Sequence, residues 1–152
     1  MKSSIIGRGA ASALGRTLLL CTSLTIPALV GALPAQASQQ DVQSFFKKGY
    51  NFCDAKLLAN YWGIGTYEAK EAGGEKIRNH NEPILRGIMQ TARTQSRCDF
   101  GDTGVSYEDA DALAGYWGLQ VNQSKNKIAK LYTRGNSRQV RQALKQARGG
   151  GE

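Results

Sequence analysis

The chain is poor in the residues that carry most metal and nucleophilic chemistry. Of 152 residues one is a histidine, His80, and three are cysteines. A single His excludes the His-rich ligand sets of catalytic metal centres, and no C-x-x-C is present for zinc or thiol redox. No Ser or Cys stands in a nucleophile motif. The stretch CDFGDTG (residues 98–104) has acids and glycines but misses the calcium-loop spacing. No metal, cofactor or catalytic residue is expected. Prolines number three, the longest apolar stretch is short for a bilayer span, and hydrophobic and charged residues make up 41% and 21%. Those values exclude a polytopic membrane protein, a collagen-like chain and a wholly disordered one. Acid is the last scarcity: none precedes Asp41, and none falls between residues 112 and 151.

What is present begins with an export pattern. Lys2, Arg8 and Arg16 precede an apolar stretch over residues 17–33, and Ala35-Gln36-Ala37 supplies small residues for a signal peptidase. Residues 1–37 are expected to be a signal peptide cleaved before Ser38, giving a periplasmic or secreted protein. An uncleaved anchor and an organellar transit peptide are the alternatives. The mature chain then holds 17 basic and 12 acidic residues, a net charge of +5. Its two cysteines, Cys53 and Cys98, are expected to form a disulfide, as an isolated pair in an exported protein does.

Residues 45–93 align without a gap to residues 100–148, with 14 identical pairs in 49 positions. DAKLLANYWG answers DADALAGYWG 55 residues later. The expected fold is therefore all-α. A tandem duplication of a three-helix unit, about 50 residues each, follows a short helix over residues 41–48. Residues 38–148 form one domain of two repeats, and residues 149–152 are a disordered tail. Asn51 and Ser106 are N-cap candidates with acids at N3, and Gly63 and Gly118 are helix stops. Second helices are expected over residues 67–78 and 123–133. Third helices follow Asn81 and Asn136 as caps, with Pro83 in the first turn. Trp62 and Trp117 are expected in the core.

Three patterns are candidate sites. Each copy repeats an Asp/Tyr edge, Asp54 with Tyr61 and Asp109 with Tyr116. It would suit stacking and hydrogen bonding to a sugar, or serve only as a cap beside a packed Tyr. The third helices repeat Arg86 and Arg93 as Arg141 and Arg148. Arg138 and Lys145 join the second pair on one face, a cationic stripe suited to an anionic partner. Lys70 and Lys125 recur as expected surface partners of nearby acids. The helix pairs turning at Gly63 and Gly118 resemble a helix-turn-helix over about twenty residues.

The function expected is a small exported, non-enzymatic binding or interaction protein of the cell envelope. Its basic helix faces would meet an anionic envelope surface, lipid headgroup or glycan. One alternative is an envelope glycan hydrolase, or its accessory, acting through acids such as Asp102 and Glu108. The other is an atypical helix-turn-helix DNA-binding protein, which export disfavours.

Overall fold

The structure is a computed structural model that describes residues 33–149. Residues 1–32 of the expected signal and residues 150–152 of the expected tail lie outside them. The described residues hold seven α-helices in order: α1 Leu33–Lys47, α2 Phe52–Trp62, α3 Thr66–Arg78, α4 Glu82–Gln95, α5 Tyr107–Trp117, α6 Val121–Thr133 and α7 Ser137–Ala147. A 3-10 turn, Phe100–Thr103, precedes α5, and no strand occurs among the described residues. The chain is all-α. The bounds of α2 and α3 recur 55 residues later in α5 and α6, and α7 starts 55 residues after α4.

Local chemistry explains the helix ends. Asn51 and Asp54 form a reciprocal capping box at the start of α2, at 3.1 and 3.0 Å. Ser106 accepts the Asp109 N–H at the start of α5. Gly63 and Gly118 end these helices at φ 69° and 64°, a region that costs glycine little. α3 and α6 start one and two residues earlier than their apolar pattern suggests. Glu68 and Gln123 reach back to the N–H of Gly65 and Gln120 at 3.0 and 3.1 Å and fix those positions as caps. Asn81 and Asn136 do occupy the caps of α4 and α7, yet neither side chain makes a capping hydrogen bond. α1 is longer than the short helix expected, and the cleavage point before Ser38 falls inside it.

α2 packs on α3 and α4, α5 packs on α6 and α7, and α2 also meets α6 and the 3-10 turn. The core centres on Leu57, Leu58, Leu85 and Met89 from the first set, with Leu113, Ile128 and Val140 from the second. Full burial of each such side chain contributes about 1.5–3 kcal/mol. Trp62 and Trp117 are only partly buried and pack on the edge of this core. Leu58 and Leu113, from the same stripes, are fully buried.

α1 lies along α3. The approach depends on Gly73 and Gly74. A Cβ on Gly73 would sit 2.8 Å from the Phe45 ring, and one on Gly74 would overlap the Asp41 carbonyl. The position matching Gly73 is Ile128, itself fully buried. The first set thus fills this volume with Phe45 from α1, and the second fills it from its own α6. Phe100, which matches Phe45, is correspondingly only partly buried.

Candidate functional site

The sulfur atoms of Cys53 and Cys98 are bonded, with Cα atoms 5.4 Å apart, and both residues are buried. Cys53 sits in the first turn of α2. Cys98 lies in the connection after α4, where its N–H donates to Thr133 Oγ1 of α6 at 3.2 Å. The bond pins that connection between the two helix sets.

The Asp/Tyr pairs are disposed differently in the two copies. Asp54 is 3% exposed and faces inward, where Arg93 Nη2 donates to its Oδ1 at 2.8 Å. Tyr61 is exposed. Asp109 pairs with Arg148, and the Tyr116 hydroxyl hydrogen-bonds Gln146 of α7. The repeated unit is therefore Asp with Arg, 39 residues apart in both copies. This narrows the expected cationic set, because Arg93 and Arg148 are already engaged. The Arg93 guanidinium also passes so close to Gly135, in the α6–α7 turn, that a Cβ there would lie 2.6 Å from Nη1. Arg93 thus joins α2 and α4 to the second helix set. Its Nε is buried with no acceptor.

The remaining cations of the third helices stay at the surface. Arg86, Arg138, Arg141 and Lys145 are exposed and form no ion pair among the described residues. Arg141 donates to Ser137 Oγ at 3.3 Å. Leu144 shares a shallow surface depression with Arg141, Lys145 and Arg148.

Lys70 and Lys125 were expected beside acids and lie instead over aromatic rings. Lys70 Nζ is 4.3 Å from the Phe52 centroid and Lys125 Nζ is 3.7 Å from that of Tyr107, a matching pair of cation–π contacts. Burial raises the hydroxyl pKa of Tyr50 and of Tyr132 above the usual 10.0. The charges of Glu82 and Asp54 add to the effect at Tyr50, whereas Arg141 opposes it at Tyr132.

A groove of about 750 Å³ was not anticipated. One wall is the end of α4 and the connection carrying Arg97, Cys98 and Asp99. The other is α6 through Asn126, Lys130 and Thr133, with Arg134 at its C-cap. The helical spacing of those four residues was visible in the sequence as a polar stripe. The opposite wall was not, because the disulfide and the fold of the connection bring it there. Among the described residues no three His, Cys, Asp or Glu side chains converge to hold a metal, and no helix is long and apolar enough to cross a membrane.

Comparison with family models, curated proteins and solved structures finds no match to this chain.

Proposed function

We propose that the protein is an exported, non-enzymatic binding module, made by tandem duplication of a three-helix unit, that docks its basic second half on an anionic lipid surface of the cell envelope. The observation that carries this reading is α7. Val140 and Ala143 are buried, while Arg138, Arg141 and Lys145 stand exposed without ion-pair partners among the described residues. Neither α6 nor α7 contains an acid to neutralise them. The apolar side is committed to the core, so contact would be electrostatic, about 1 kcal/mol for each cation near the surface. The buried disulfide supports an oxidising compartment.

Two other readings find less support. A glycan hydrolase needs two carboxylates flanking a cleft, and the groove offers Asp99 alone. Asp102 is turned back to cap the Asp99 N–H. A DNA-binding helix should be basic and free, whereas α3 carries Glu68, Glu71 and Glu75 and is covered by α1, and on its basic counterpart α6 Lys125 and Lys127 lie over the rings of Tyr107 and Trp117.

The test is sedimentation with vesicles containing phosphatidylglycerol. Binding is expected at low salt and should fade as ionic strength rises, since exposed charges are screened within about 8–10 Å. The R138Q/R141Q/K145Q variant should lose it while keeping its helical spectrum. Binding to an acidic polysaccharide alone would transfer the face to a glycan. Vesicle binding that survives in the variant would reject it.

A further inference from the structure

The groove beside the disulfide is independent of the α7 face, and its composition is specific. Arg97, Lys130 and Arg134 line it, all exposed and without an ion pair or hydrogen bond to another side chain among the described residues. Arg93 lines it as well, but its charge is matched by Asp54. Among the described residues that line it, Asp99 is the only acid. The C-terminal ends of α4 and α6 both reach the groove and contribute roughly half a negative charge each. Asp99 and the two helix ends offset about two of the three free cations. About one positive charge remains, together with a crowd of N–H donors from two guanidinium groups, an ammonium and the Asn126 amide.

The lining contains no aromatic ring. A sugar or base therefore has nothing to stack on, and recognition must come from charge and hydrogen bonding. Guanidinium forks match tetrahedral oxyanions, which accept two parallel N–H bonds. The hydroxyls of Thr94 and Ser96 already donate to α4 carbonyls at 2.7 and 3.3 Å, so they add acceptors rather than donors. One wall is held by the Cys53–Cys98 bond and by the Cys98 N–H on Thr133. A fixed wall lowers the ordering cost of binding. We propose that this groove binds a phosphate-bearing ligand through Arg97, Lys130 and Arg134. A soluble phosphoester and a lipid headgroup share this chemistry.

The test is nuclear magnetic resonance titration of the disulfide-intact protein with inorganic phosphate, pyrophosphate and short-chain phosphatidylglycerol. Saturable amide shifts at Asn126, Lys130 and Thr133 are expected, with pyrophosphate about tenfold tighter than phosphate because it offers more charged acceptors. The R97Q/K130Q/R134Q variant should weaken binding by at least about tenfold, with its spectrum otherwise retained. R134Q alone should weaken it by a smaller factor. The R138Q/R141Q/K145Q variant should bind as the parent does, which separates this site from the α7 surface. Tighter binding of pyrophosphate than of the lipid would assign a soluble ligand, and the reverse a headgroup; both support the site. Absence of shifts at about 10 mM, shifts confined to α7, or undiminished binding in the groove variant would overturn it. So would equal affinity for a uronate trisaccharide, whose carboxylates carry no phosphate geometry.

Discussion

Asp54 and Asp109 occupy matching positions and make matching ion pairs, yet the two pairs differ in energy. The Asp54 side chain is 4% exposed and that of Arg93 28%, whereas Asp109 and Arg148 are 17% and 61% exposed. Removing the partner of a buried carboxylate leaves its charge desolvated, which costs about 3–5 kcal/mol. An exposed pair contributes about 0–1 kcal/mol. Urea unfolding should therefore find Arg93→Met strongly destabilised and Arg148→Met near the parent. Equal losses would show that burial does not set the difference. Two tyrosines give a pH dependence. Burial raises their pKa above 10.0 in the folded chain. The folded state thus holds these protons more tightly than the unfolded one. That stabilisation is complete below pH 10.0 and is lost as pH rises through the raised values. Tyr50→Phe and Tyr132→Phe should each lose stability less steeply above pH 10 in alkaline unfolding curves.

Among the helices, the contact of α1 with α3 has the least tolerance. A Cβ on Gly74 meets backbone, which yields only if α1 moves. Gly74→Ala gains about 1 kcal/mol of helix propensity and should still destabilise, since overpacking costs about 1–3 kcal/mol. Gly87→Ala in α4 meets nothing within 4 Å and should stabilise by up to about 1 kcal/mol. A pair of thermal melts decides both. The termini of α2 and α5 were legible because caps and stops are local: Asn51, Ser106, Gly63 and Gly118 act on their own turns. The Asp–Arg pairing was legible in principle, since Asp54, Arg93 and their counterparts are all among the identical pairs. The contact of α1 on Gly73 and Gly74 was not, because it depends on what lies across the helix. The same holds for Trp62 and Trp117. Periodicity set them on the apolar stripe, but depth of burial depends on what packs across the helix, and both end only partly buried.

At the scale of the whole molecule, Arg93 and the contact of α2 with α6 cross between the helix sets, and the disulfide fixes α2 to the connection whose Cys98 N–H is held by Thr133 of α6. The sets should therefore unfold together. The two tryptophans of the sequence lie one in each set, so W62F and W117F report on them separately. Fluorescence from each should trace the same urea transition as the helical signal. Separated midpoints would show that the sets are independent. Reduction of the Cys53–Cys98 bond frees a loop of 45 residues and should lower stability by about 4 kcal/mol. The transition should stay single, because the other two links remain.

The bond also decides how the chain answers a pull. Tension applied to its ends passes from Cys53 straight to Cys98 through the sulfurs. The 45-residue separation between them hides about 150 Å of contour from any stretching force. Most of α2, all of α3 and all of α4 sit inside that closed ring, while α1 on one side and α5, α6 and α7 on the other hang from it on open strands. A load drawn from the C-terminus unravels the second set to full length and can only shear the first. If the protein is tethered to an envelope at one end and to a partner at the other, the first set is its strain stop and the second its extensible arm.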